Sequence, residues 1–124
     1  MEKSFLMTAM GYLLLGMALG IFMAMTQSHL QQATHGHILL VGFVLSFVYA
    51  VCHRLWLTSS NAKGLRLQHA LHQIGALVLI VGLFLMYQGL APGKVVGPIM
   101  GLGAISLLVA AVLMKIALIK AFKS

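Results

Sequence analysis

Four apolar stretches dominate the chain, at about residues 5–25, 34–57, 67–88 and 95–122, with only short polar breaks between them. Each runs to about 20 residues or more, the length that carries an α-helix across a ~30 Å hydrocarbon core. Inside lipid every backbone N–H and C=O needs an internal partner. Strands would therefore have to close a barrel, and these runs lack strand alternation. The expectation is an all-α membrane protein, a single domain over residues 1–124 built as a bundle of four transmembrane helices. Composition agrees: 61% of the residues are hydrophobic and 7% charged, where a soluble domain carries about 25% charged residues.

The one acidic residue, Glu2, removes whole classes of chemistry. Paired-carboxylate catalysis is excluded within a single chain, as are calcium sites, which need several oxygen ligands. No glycine-rich phosphate loop ending in Gly-Lys-Ser/Thr is present, which argues against nucleotide hydrolysis. The formal charge of +7 is explained without nucleic acid, because Lys and Arg flank membrane spans and set their orientation. With the N-terminus in the cytoplasm, that side holds Lys3, Arg54, Lys63, Arg66, Lys115, Lys120 and Lys123, and the other side only Lys94. Both termini are expected to be cytoplasmic, with the basic 58–66 connection on the same side. Lys3 ahead of an apolar run resembles a signal peptide. The run is longer than a 7–15-residue signal core and no small-x-small site follows it, so it is read as a true first span.

Small residues mark expected helix contacts. Gly16 and Gly20 form one G-x-x-x-G and Gly97 and Gly101 another, a spacing that lets backbones approach in lipid. Either these are specific interfaces or they reflect the ordinary glycine content of membrane helices. Pro98 is expected in the first turn of the last helix, where its missing N–H costs little. The single cysteine, Cys52, lies in an apolar run and reads as a small buried hydrophobe.

Six histidines in so apolar a chain are the chemically informative feature, since ionisable side chains at membrane depth are costly. They fall into two layers, His29, His35 and His37 at one end and His53, His69 and His72 at the other, about 20 Å or more apart at 1.5 Å rise per residue. They cannot share one metal ion. On a helix, His35 and His37 point about 200° apart and face different neighbours, with Gly36 between them leaving room for a planar group. They would ligate cofactors; alternatively, if the helix starts after His37, they lie idle in the aqueous interface. His69 and His72 share a helix face and are secondary candidates for a metal or haem edge. Beside Arg66, a solvated headgroup-facing end is the preferred reading for them. His53, next to Arg54 and Trp56, reads as an interfacial anchor. Met23 and Met25 precede His29, a set that would suit copper, although gap-filling accounts for most of the nine methionines.

The stretch THGHILLVGFVLSFVYAVCHRLW, residues 34–56, resembles a helix of subunit I of the haem-copper oxidases, most closely the cbb-type oxidases and nitric oxide reductases. There a His-x-His precedes apolar residues, a Gly-aromatic step and an aromatic-rich end closing in Arg. The following HALHQIGALVLIVGLFLMYQG, residues 69–89, resembles the next helix, and the likeness covers roughly residues 26–90. The chain is similar in particular to small stand-alone four-helix proteins of the oxidase-subunit-I-like kind, in which a histidine placed like His29 recurs. The resemblance implies a multi-pass protein of the bacterial inner membrane that holds haem b, with His35 and His37 as axial ligands on opposite sides. Copper or zinc at His29, His35 and His37 is the alternative. It also implies assembly as a homotrimer that rebuilds the three four-helix arcs of the oxidase subunit, and a quinol or respiratory redox partner. The remaining copper ligands, a His-Tyr crosslink signature and an acidic proton channel are missing, and Phe43 stands where relatives often carry Trp. Oxygen reduction with proton pumping is therefore not expected, and no catalytic residue is assigned; electron transfer or small-gas binding is. The competing functions are an assembly partner of a respiratory complex and a small His-lined transporter.

Overall fold

The computed structural model describes residues 1–58 and 63–123; the middle of the 58–66 connection, at 59–62, lies outside the described residues. Four helices follow one another: α1 (Glu2–Thr26), α2 (Gln32–Leu55), α3 (Lys63–Tyr87) and α4 (Gly93–Lys123). No strand occurs among the described residues. All four helices are long and apolar enough to cross a membrane, and large apolar side chains such as Met7, Leu14, Phe22, Leu40 and Leu108 are exposed along them. In water such a surface would aggregate; against acyl chains it is the ordinary outer face of a bundle. The protein is a multi-pass membrane protein.

Local sequence ends the helices where it should. Gln27 enters the left-handed region at φ 51° and its amide turns back to Ala24 while that of Ser28 reaches Met23. Gly89, at φ 72°, closes α3 the same way, its amide bonding Met86 and that of Leu90 bonding Leu85. Those bonds satisfy carbonyls that a helix end leaves orphaned. Helix α4 starts at Gly93, earlier than expected. Pro98 therefore sits in the second turn and not the first, and the Lys94 carbonyl that its amide would have met loses that partner.

Helix α2 is continuous but not uniform. Between an α-helical start, Gln32–His37, and an α-helical end, Ser46–Leu55, the segment Ile38–Leu45 is π-helical. At its centre Gly42 is buried, and a Cβ there would stand 2.5 Å from Cγ of Tyr12. The α1 tyrosine ring thus lies directly on the π segment's backbone.

The bundle is two helical hairpins, α1 with α2 and α3 with α4. Glycine sets both separations. Gly16 and Gly20 receive Leu39 and His35 of α2, so the first G-x-x-x-G is an interface within the chain. Gly97 and Gly101 have nothing within 4 Å and make none. The close approach of α3 to α4 is instead at Gly75 and Gly103, where a Cβ on the first would meet the carbonyl oxygen of the second at 2.8 Å.

Hydrogen bonds between side chains tie one hairpin to the other. Gln31 donates to the Phe84 carbonyl at 3.2 Å and to Gln88 at 3.0 Å, and itself accepts from Thr34. Ser46 bonds His72, Ser4 bonds His69, and Gln73 donates to Thr8, each at 2.8 Å. In lipid such bonds act as glue, at about 0.6 kcal/mol each and up to 1–2. Between the hairpins lies an apolar groove of about 420 Å³ lined by Leu15, Leu19, Ile38, Ile80 and Phe84 among others.

Candidate functional site

The histidines form two layers at opposite ends of the bundle, as the spacing requires. At the end formed by the start of α2, the helix begins at Gln32, so His35 and His37 are both helical and do not lie beyond the helix start. Their rings face different surroundings. His35 packs on α1, where a Cβ at Gly20 would stand 2.9 Å from its Cε1 and 3.5 Å from its Nε2. His37 turns away, and its Nδ1–H donates to the Ala33 carbonyl at 2.8 Å.

That last bond has a chemical consequence. It fixes the tautomer of His37 and leaves the Nε2 lone pair as the ligating position, the arrangement that supports histidine ligands at metal centres. Neither His35 nor His37 has a protein partner at Nε2, and neither Nε2 is sealed from the surface. Nδ1 of His35 is buried and unpartnered. The donor set, two half-buried imidazoles on opposite sides of one helix, suits haem iron, which takes histidine nitrogen axially.

His29 sits in the connection between α1 and α2 and is exposed. Among the described residues no three His, Cys, Asp or Glu side chains gather closely enough to hold a metal ion. The alternative copper or zinc site of His29, His35 and His37 is thus not assembled within one chain, because consecutive helical directions carry His35 and His37 apart. Met25, the methionine nearest His29 in sequence, is largely exposed.

The other layer departs from the sequence reading. His72 is fully buried and His53 nearly so, where a headgroup-facing end and an interfacial anchor were expected. The cause is Phe5 near the start of α1, itself fully buried. Its ring centroid lies 4.7 Å from His69, 5.3 Å from Tyr49, 5.6 Å from His53 and 5.7 Å from His72. One aromatic side chain thus gathers polar rings from α2 and α3 into the core, beside Cys52, Leu65, Met114 and Ala117. Cys52 is buried there, as its apolar context predicts.

Several of these polar groups missed the sequence reading altogether. Gln68 is fully buried, as is Ser46; Tyr49 and Gln68 stand side by side without a hydrogen bond of good geometry. The usable signal was periodicity: Gln68 and His72 are one helical turn apart, as are Tyr49 and His53. Gln31 and Thr34, the other buried polar pair, are likewise three residues apart on one face. The ion pair of Arg54 with Glu2, 3.8 Å long and largely exposed on the arginine side, contributes little.

Compared with known protein families, curated proteins and solved structures, the chain matches none.

Proposed function

We propose that this chain is an integral membrane haem-binding protein, with His35 and His37 as the iron ligands and electron transfer or small-gas binding as its task. The observation that carries this reading is the pair of half-buried imidazoles with open Nε2 atoms, the His37 tautomer being set by the Ala33 carbonyl. Because the two rings face different ways, the iron atom held by one is not the iron held by the other. A second ligand for either iron would then be supplied by another chain, in keeping with assembly as a homotrimer. Haem b supplies the redox or gas-binding chemistry; the chain supplies the nitrogen ligands, the apolar surroundings and the orientation. The excess of basic residues at the end of the bundle that carries the termini supports cytoplasmic termini in a bacterial inner membrane. The histidine pair then lies toward the outer face, within reach of a quinol or respiratory partner.

The test is an absorption spectrum of the purified protein, oxidised and dithionite-reduced, before and after haem is supplied, with metal analysis on the same sample. A Soret band with sharp α and β bands on reduction, lost in the H35A/H37A double variant, is expected. No Soret band under any of these conditions refutes the haem reading, and stoichiometric copper or zinc in that sample moves the histidines to a metal site shared between chains. A second reading, a packing partner of a larger respiratory complex, is favoured by Gly97 and Gly101, which form a small-residue stripe on α4 with nothing packed over it.

A further inference from the structure

The layer around Phe5 is more than packing. Two buried ring nitrogens there have no partner, Nε2 of His53 and Nδ1 of His72, and beside them Oη of Tyr49 and the Gln68 amide face each other without a hydrogen bond of good geometry. Leaving such atoms unmet inside a bilayer is costly. A sequence with this little polarity would not concentrate them at one end without something to meet them. The same end carries a recess of about 260 Å³ lined by Met1, Glu2, His53, Leu57, Thr58 and Leu65, large and polar enough for several waters. The unpartnered Nε2 of His53 belongs to a residue of that lining. Inward from it, the Phe5 ring contacts His53 on one side and His72 on another, and His72 is held by Ser46 through Nε2. Beyond Ser46 the core is apolar: Ile38, Ala76, Ile80 and Leu83 are all buried.

We propose that this is a one-sided hydrated proton well, which admits water at the Glu2–His53–Thr58 recess and delivers protons to His72. His72 lies nine residues from the start of α3 and Ser46 nine from the end of α2, so the well reaches about 13 Å inward. In the tautomer whose Nε2–H donates to Ser46, Nδ1 of His72 is a bare acceptor. It takes a proton from the water chain, and the chain is refilled from the bath. Tyr49 from α2 packs edge-on against that imidazole and His69 lies one turn before it on α3, Cys52 is buried in the same core, and His53, Glu2 and the Met1 ammonium line the mouth. Helix α4 contributes only Met114, Ala117 and neighbouring apolar side chains, and its Lys115 is exposed. The proposal does not depend on haem.

Water-edited solid-state NMR of the full chain, with 15N-labelled histidine, in lipid bilayers tests it. Magnetisation should pass from mobile water to the His72 ring, identified by its loss in H72Q, within about twofold of the rate to exposed His29. Acidifying the bath should convert the His72 ring from the neutral to the charged 15N pattern. H53L, which places an apolar side chain at the mouth, should slow the transfer to His72 several-fold, and H53Q should not. Transfer to His72 more than tenfold slower than to His29 would overturn the proposal in the unsubstituted protein, whatever the variants do. A ring pattern indifferent to bath pH, or H53L equal to H53Q, would do the same.

Discussion

Replacing Gly75 by alanine tests how the second hairpin is built. The added Cβ would stand 2.8 Å from the Gly103 carbonyl oxygen and 3.1 Å from Leu107 Cγ and Ser106 Cβ, where ordinary contact starts at 3.4 Å. The nearest atom is backbone of a facing helix, so no rotamer change relieves it, and α3 and α4 must part by about 0.6 Å. A gap of roughly 0.5–1 Å forfeits about a quarter to a half of each ~0.1–0.2 kcal/mol contact across the seam. The sum falls in the range of about 1–3 kcal/mol that overpacking costs in well-packed cores. Alanine returns up to about 1 kcal/mol of helix propensity. G101A gains the same propensity, so against it the loss is the full overpacking cost of about 1–3 kcal/mol, or roughly 4–12 °C at about 4 °C per kcal/mol for a chain of this size. The single buried cysteine, Cys52, provides the assay: a thiol-reactive fluorophore reports its exposure during a thermal ramp in detergent. G101A is the matched control, since nothing lies within 4 Å of that position, and it should melt at or slightly above the parent temperature. A G75A protein as stable as G101A would refute the backbone-contact argument.

Two further outcomes follow from the core. F5A removes the ring that four polar aromatic side chains surround and should lower stability by about 3–5 kcal/mol, the usual range for a buried phenylalanine; F5L should lose much less in the same thermal assay. Q31A breaks the clasp to Phe84 and Gln88 and strands Thr34, with an expected loss of about 1–3 kcal/mol and faster deuterium exchange at both adjoining helix ends.

The four spans were legible in the sequence because length and hydropathy alone dictate them in a bilayer. The first glycine pair was legible too. The second was not, because G-x-x-x-G spacing shows only that a small stripe exists. The contact used by α3 and α4 pairs one glycine from each helix, a relation that no spacing within one helix displays. For the histidines, spacing gave the two layers and the divergence of His35 from His37. It could not show that a phenylalanine 64 residues before His69 would draw the second layer inward, since burial at a helix end is decided by what covers it. His72 and His53 looked solvated because Arg66 and Arg54 are close in sequence. In space the arginines turn outward, both exposed, while the imidazoles turn inward.

The π-helical turn over Ile38–Leu45 acts as a phase setting between the two ends of α2. A π turn accommodates more residues per revolution than an α turn, so the direction of His53 relative to His37 depends on how the eight residues between them and Ser46 are wound. Deleting one residue there, with the remaining turns wound as they are, would rotate one end against the other by roughly a quarter turn. Tyr49, His53 and Ser46 would leave the Phe5 layer together while His35 and His37 stayed on theirs. The length of that segment is therefore fixed by two distant constraints at once. Any chain sharing this arrangement must hold the spacing between its histidine pair and its buried serine constant, even where every residue between them varies.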